Sequence, residues 1–284
     1  FYETNLEDEK SIKTIFQDHK PSIIINLAAQ AGVRYSIENP KAYIDSNIVG
    51  FLNILECARH FQAEHLIYAS SSSVYGGNTR IPFSEKDQVN HPVSLYAATK
   101  KANELFAHTY SHLYGISCTG IRFFTVYGPW GRPDMAPMIF TKAILSKKPI
   151  RIFNHGNMFR DFTFIDDISE SLFRIIKKPA TPDKYFDTNN PNPWKSWAPH
   201  RIFNIGNSKP ISLMSYINAI EECLGKKAKK EFLPLQLGDV PSTSSDCSEL
   251  ASWIGFKPKT TVLEGVEQFV TWYRNFYKIW WEGI

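Results

Sequence analysis

Tyr96 and Lys100 stand four residues apart in Tyr96-Ala-Ala-Thr-Lys100, a spacing that puts both on one face of a helix. An ammonium held beside a phenol favours the phenolate and lowers a pKa that starts near ~10. A tyrosine tuned in this way can take a proton from a sugar hydroxyl at neutral pH. Upstream, Ser70, Ser71, Ser72 and Ser73 close an apolar segment, so a hydroxyl from a strand end can share that proton. Together these residues point to alcohol–ketone redox chemistry, which needs a hydride carrier.

The elements that must position them alternate. Leu6 to His19 reads as a helix with Asp8 and Glu9 in its first turn. The β-branched run from Ser22 to Leu27 reads as a buried parallel strand. Ala42 to Phe61 is expected to be one long amphipathic helix, Glu64 to Ser70 a strand, Ser94 to Tyr114 a helix and Ser117 to Phe123 a strand. This alternation predicts an α/β fold, a Rossmann-like doubly wound parallel sheet. Ligands of such sheets bind at the carboxyl ends of the strands. Those ends carry Leu27-Ala28-Ala29, Ser70 to Ser73 and Phe123-Phe124-Thr125-Val126, where the candidate chemistry lies.

The second half is more mixed. Helices are expected over Met135–Ser146, Asp167–Lys177, Ser212–Leu224, Cys247–Trp253 and Val262–Tyr277. Short strands are expected at Ile150–Phe153, Phe162–Ile165, Arg201–Ile205 and Lys230–Leu233. Pro179 to His200 is a long Pro/Asn/Trp-rich loop, a kind usually functional or mobile. The expected division is a truncated Rossmann-type domain over 1–130 and a smaller mixed α/β substrate domain over 131–284, with segments around 155–205 able to return to the first.

The chain has 284 residues, 43% hydrophobic and 21% charged, which suits a soluble globular protein of one or two domains. A dispersed net charge of +4 makes no case for nucleic acid and at most suits an anionic small substrate. No apolar run approaches the ~20 residues of a membrane span. Cys57, Cys118, Cys223 and Cys247 lie far apart without metal spacing and read as buried thiols of a cytoplasmic protein. No metal site is expected.

Three further features have a plain and a functional reading. Small residues in Asn26-Leu27-Ala28-Ala29-Gln30-Ala31-Gly32 form a tight turn that also lets a cofactor approach the backbone. Asn47, inside an apolar helix, needs partners for its amide and is expected to brace the active-site helix. Arg132 and Arg160 lie in loops beside Pro, Gly and aromatic residues, where a guanidinium can grip carboxylate or phosphate. Trp272, Tyr273, Trp280 and Trp281 are expected to pack rather than bind.

These pieces resemble the extended short-chain dehydrogenase/reductases, and most closely the UDP-glucuronate 4-epimerases. The resemblance rests on Asn26–Ser36, Ala69–Gly76, Tyr96–Lys100, the long segment Phe123–Ala136, Arg160–Asp167, Gly238-Asp-Val-Pro241 and the loop ending Ala198-Pro-His-Arg201. It implies NAD as cofactor and a UDP-sugar as substrate, with Tyr96 as base, Lys100 lowering its pKa and holding the nicotinamide ribose, and Ser71 as the catalytic hydroxyl. It further implies that Leu27, Ala28, Ala29, Ala31, Asn47 and Ser70 line the cofactor side, with Phe123 and Val126 near the nicotinamide. Asn5-Leu6 falls at the adenine contact, where the family usually has aspartate. On the substrate side it implies Ser72, Ser73 and Thr125 at the sugar carboxylate, and Arg132 and Arg160 at anionic groups. It also implies Phe153 near the uracil, Arg34 near the sugar, and Gln236 and Asp239 as further contacts. Family members usually pair as homodimers through the helices that here span Ala42–Phe61 and Ser94–Tyr114.

Related decarboxylases and dehydratases carry an acidic residue just before Val-Tyr-Gly, where this chain has Ser72-Ser73. Hydroxyls donate to a carboxylate where an acid would repel it, so the expectation is C4 epimerisation of UDP-glucuronate. UDP-glucose 4-epimerisation, or a related decarboxylation or dehydration, is the alternative. The family's Gly-x-x-Gly-x-x-Gly phosphate loop does not occur in these residues, which open at Phe1 around the third strand. The rival expectation is therefore an inactive truncated module for binding or dimerisation.

Overall fold

The structure is a computed structural model and describes residues 1–236 and 239–279. In chain order its elements are α1 (Glu9–His19), β1 (Ile23–Asn26), α2 (Tyr35–Glu38), α3 (Pro40–Ile44), a π turn (Asp45–Val49), α4 (Gly50–His60), β2 (His65–Ser71), a 3-10 turn (Ser72–Tyr75), α5 (Leu95–Tyr114) and β3 (Ser117–Phe123). There follow β4 (Thr125–Tyr127), α6 (Ala136–Leu145), β5 (Pro149–Ile152), a 3-10 turn (Phe153–Gly156), β6 (Phe159–Arg160), β7 (Phe162–Phe164), α7 (Ile165–Ile176) and β8 (His200–Ile205). The last are β9 (Ile211–Ser212), α8 (Leu213–Leu224), β10 (Lys229–Phe232), α9 (Ser248–Ile254) and α10 (Val262–Phe276).

Two compact units emerge. The first comprises Phe1–Phe123, Leu172–Ile205 and Asp246–Gly255; the second comprises Phe124–Ser171, Gly206–Ser245 and Phe256–Ile284. The first is built on a parallel sheet of order β1-β2-β3-β8, a Rossmann-like α/β arrangement. Its core joins Ile12 and Phe16 of α1, Phe51, Ile54 and Leu55 of α4, Leu66 and Tyr68 of β2, and Ala107 of α5. The second has its own core, in which Tyr127, Phe162, Phe164, Tyr216 and Phe269 pack together.

Helix starts follow side-chain caps. Asp8, Ser94 and Ser212 each accept a backbone N–H of the first turn, and Thr261 forms a capping box with Glu264.

Two expected elements differ. β1 is parallel but not buried: Ile23 and Ile25 are about two-fifths exposed. Among the described residues it pairs with β2 alone, so as an edge strand it alternates exposed and buried positions. The helix expected over Ala42–Phe61 is broken. Pro40 starts α3 early, and the π turn at Asp45–Val49 separates it from α4.

Trp272 packs against Trp130, Phe269 and Phe276, and Tyr273 is buried. Trp280, Trp281 and Gly238 lie outside the described residues. Cys57, Cys118 and Cys247 are buried free thiols, while Cys223 is half-buried. Among the described residues no helix is long and apolar enough to cross a membrane, and no His/Cys/Asp/Glu cluster could hold a metal ion.

Candidate active site

Ser71 ends β2 in extended conformation, and its Oγ accepts the Ser73 N–H at 3.1 Å. This caps the 3-10 turn that carries Ser72 and Ser73. The turn closes at Gly76 with φ +47°, where a Cβ would lie 2.2 Å from the His91 carbonyl oxygen, so a side chain is excluded twice over. Ser71 is buried. Ser72 and Ser73 are half-buried.

α5 presents the other two residues. Ser94 accepts the Ala97 N–H at 3.1 Å, which starts the helix just before Tyr96. Tyr96 is half-buried, and Lys100 one turn on is buried. Burial pushes the Lys100 ammonium down to about 8, because a charge loses hydration there. Its Nζ donates to the Ala69 carbonyl at 2.9 Å, and an ammonium has two further donors. The ring of Tyr43 meets Tyr96 edge-on at 6.1 Å.

Asn47 is what the broken helix gains. Its Oδ1 accepts the Gln30 N–H (2.8 Å), and its Nδ2 donates to Gln30 O and Thr99 Oγ1, each at 3.0 Å. The wider π turn also leaves the Asn47 carbonyl free to accept Asn103 Nδ2 at 2.7 Å. One buried amide thus joins the small-residue turn after β1 to α5. In that turn Leu27 and Ala28 are exposed and Ala29 and Ala31 half-buried. Ahead of it, Asn5 is exposed, and the Leu6 carbonyl accepts Asn53 Nδ2 at 2.9 Å. Arg34 is exposed at the start of α2.

Phe123 ends β3 in register with Ser71 on one side and Ile205 on the other. In the second unit Thr125 and Val126 lie half-buried on β4, which pairs with β7. Arg132 forms a forked ion pair with Asp134, at 3.0 and 2.6 Å. Arg160 instead donates Nη1 to the carbonyls of Phe159 (2.9 Å) and Pro241 (3.1 Å). Burial lowers its pKa while Asp239 works the other way. Phe153 opens the 3-10 turn after β5, and Gln236 Oε1 is buried without a hydrogen-bond partner among the described residues. The expected residues therefore gather as two sets, one within each unit.

Sequence reading missed a buried carboxylate. Glu85 accepts the Asn204 N–H with Oε1 at 2.7 Å, while Oε2 has no partner among the described residues. Burial raises its pKa from 4.5 to about 7. The unfolded chain then ionises first, so this group costs stability as pH climbs from about 4.5 to 7, and the full penalty stands above that window. Glu85→Gln is expected to stabilise the protein by up to about 3 kcal/mol at pH 8 and by almost nothing near pH 4.5. Urea unfolding at both pH values checks this; an equal difference at both would contradict it.

A family model described as the NAD dependent epimerase/dehydratase family matches residues 1–206, and the chain belongs to that family. Protein CapI of Staphylococcus aureus is 58% identical over 98% of this chain and 83% of its own length. A probable UDP-glucuronate 4-epimerase of Rhizobium meliloti is 47% identical over 96% of this chain and 80% of its own. Among solved structures, the UDP-glucuronic acid 4-epimerase of Bacillus cereus, in complex with UDP-glucuronic acid and NAD, superposes with a TM-score of 0.81 at 28% identity, covering 96% of this chain and 81% of that one. A UDP-glucose 4-epimerase of Thermotoga maritima with UDP-glucose gives a TM-score of 0.86 at 27% identity, covering 98% and 85%. The family's cofactor fits the residues present. The exposed small-residue turn leaves backbone open to an approaching group, and Lys100 has donors beyond its bond to Ala69.

Proposed function

We propose that this protein is a C4 epimerase of a UDP-sugar and that its pair is UDP-glucuronate and UDP-galacturonate. The observation that carries the uronate reading is Ser72-Ser73, two half-buried serines in the turn after Ser71. A carboxylate there would repel a sugar acid, whereas hydroxyls donate to it. The similarity to enzymes named for UDP-glucuronate supports the same choice.

In this reading Leu27, Ala28, Ala29, Ala31, Ser70, Phe123 and Val126 line the cofactor side, with Asn5-Leu6 toward the adenine. NAD, when bound, would supply the hydride acceptor and donor that redox chemistry at C4 needs. Tyr96 removes the O4 proton and gives it back. Lys100, cationic below about pH 8, stabilises the phenolate, and Ser71 shares the proton. Arg160, whose guanidinium donates to carbonyl and sulfur acceptors among the described residues, suits the diphosphate. Arg132 would have to leave Asp134 to do so. Phe153, Gln236, Asp239 and Arg34 complete the substrate contacts. A homodimer through α4 and α5 would cover Leu52, Leu105 and Leu113, which are exposed.

The 4-keto uronate is a β-keto acid, and it loses CO₂ fastest when the carboxylate bond stands perpendicular to the ketone plane. In this reading the hydroxyls of Ser72 and Ser73 would hold it out of that geometry. The test incubates the whole gene product with UDP-glucuronate and UDP-glucose in parallel and resolves the C4 epimers. Turnover of the uronate with little UDP-pentose is expected, and Ser73→Ala should raise the pentose by-product. Turnover of the neutral sugar alone would favour the second reading, UDP-glucose 4-epimerisation, which the Thermotoga maritima likeness supports.

A further inference from the structure

A polar row crosses the sheet directly beneath the candidate site. Ser70, Arg122 and Asn204 are register partners on the three adjacent strands β2, β3 and β8, one residue before Ser71, Phe123 and Ile205. All three are buried, and Arg122 is the largest fully buried side chain among the described residues. Parallel strands covered by helices ordinarily place apolar residues at such positions.

The row is tied to α5 through Glu104, one turn beyond Lys100 and two beyond Tyr96. Glu104 Oε1 accepts Ser70 Oγ (2.7 Å) and Arg122 Nε (2.8 Å). Its Oε2 accepts Arg122 Nη2 (3.0 Å) and Lys101 Nζ (3.1 Å). Arg122 Nη1 donates to Tyr75 Oη (3.0 Å), which donates to Asn204 Oδ1 (2.7 Å). Asn204 Nδ2 donates to the carbonyls of Phe83 and Asp246. The fork between Glu104 and Arg122, at 2.8 and 3.0 Å, fixes both distance and rotation.

Burying two charges is an expensive way to hold a helix on a sheet. Well-packed apolar residues of the same volume do it as well or better. What the fork adds is geometry. α5 meets β2 at consecutive residues, Lys100 at Ala69 and Glu104 at Ser70, and the next residue is Ser71. A small rotation or slide of α5 would separate Tyr96 and Lys100 from Ser71 while leaving the hydrophobic packing intact. We infer that Glu104 and Arg122 are positioning residues for the reaction: they set the rotation and axial position of α5 against the ends of β2 and β3, and so the register of Tyr96 and Lys100 with Ser71. This rests on the proposed roles of those three residues.

The test uses the whole gene product and the double variant Glu104→Leu/Arg122→Met, which removes both charges together. It is expected to fold and to keep KM for UDP-glucuronate within about threefold, because no substrate contact changes. Turnover should fall by about 10- to 100-fold, the size of effect that a misplaced catalytic group produces. A second readout needs no sugar: the ultraviolet titration of the Tyr96 phenol, isolated by subtracting the Tyr96→Phe spectrum, should move to higher pH as Lys100 drifts from it. Failure of the uronate reading would leave this titration informative. If the double variant does not fold, Glu104→Gln carries the same two readouts. A folded variant with wild-type turnover and an unmoved phenol titration would overturn the proposal. A loss that appears only in KM would overturn it too.

Discussion

Tyr96→Phe is expected to lower turnover of the UDP-sugar by about 10²- to 10⁴-fold with little change in KM, the range a positioned acid–base group supplies. Lys100→Met should cost turnover on the same order, and its effect on stability separates the two residues. Tyr96 is half-buried and its loss should leave the melting temperature nearly unchanged. Lys100 carries a buried ammonium whose pKa falls from 10.5 to about 8. Below pH 8 folded and unfolded chains are both protonated, and the penalty of burying the charge is complete. Between 8 and 10.5 the folded chain loses its proton first, so wild-type stability rises with pH through that window. Methionine removes the charge, so the variant should exceed the wild type by up to about 3 kcal/mol at pH 7 and lose that margin by pH 10.5. A dead yet stabler enzyme at neutral pH is the signature of a cation kept for chemistry. Chemical unfolding at pH 7 and pH 10, beside initial rates, measures both. A Lys100→Met variant that is less stable at pH 7 than at pH 10 relative to wild type would refute the argument.

The elements that carry the candidate residues were legible because they depend on local spacing. Tyr96 and Lys100 share a helix whose N-cap, Ser94, is visible in the sequence, and Ser71 follows an apolar strand. What escaped depends on register and on side chains far apart in the chain. Asp45-Ser-Asn-Ile-Val49 continues the apolar periodicity of a helix, so nothing local announces the π turn that Asn47 makes with Gln30 and Thr99. The strands β4, β6 and β9 have only two or three residues each, too few for a period to register. Arg122 interrupts an apolar strand and could have been singled out as a buried charge. Its partner Glu104 could have been found only by knowing that β3 and α5 meet. Arg132 reads in the sequence as a candidate ligand for anions, and the structure pairs it with Asp134 two residues on, a loop contact that helix or strand spacing does not predict.

Asp161→Ala is expected to be among the most destabilising single changes in the second unit. Its carboxylate is fully buried. Oδ1 accepts the Asn207 N–H at 2.8 Å, and Oδ2 accepts the N–H groups of Ser208 (3.1 Å) and Ser245 (2.9 Å) and the Ser245 hydroxyl (2.5 Å). One side chain of the Phe124–Ser171 segment thus ties together Gly206–Ser208 and Ser245, the two ends of the unit's Gly206–Ser245 segment. The packing leaves no slack for a substitute, since a Cβ at Gly206 would lie 3.0 Å from Asp161 Oδ2 and 2.2 Å from Ser245 Oγ. Alanine would leave three backbone donors without their acceptor, at about 1–3 kcal/mol for each buried one. The expected loss is therefore at least about 3 kcal/mol, or a melting temperature lower by on the order of 10 °C. Asparagine should recover little, because its NH₂ would turn a donor toward donors. Ser245→Ala, which removes a single hydroxyl, should cost only about 1 kcal/mol. Asp161 also accepts the Thr125 N–H through its own carbonyl at 3.2 Å, and it is next in sequence to Arg160. A change that leaves the fold standing should thus still raise KM if Thr125 and Arg160 hold the substrate as the family resemblance implies. An Asp161→Ala variant within 1 kcal/mol of wild type by urea unfolding would show that water replaces the carboxylate at those donors, and the unit would then owe its cohesion to the core around Phe162, Tyr216 and Phe269 instead.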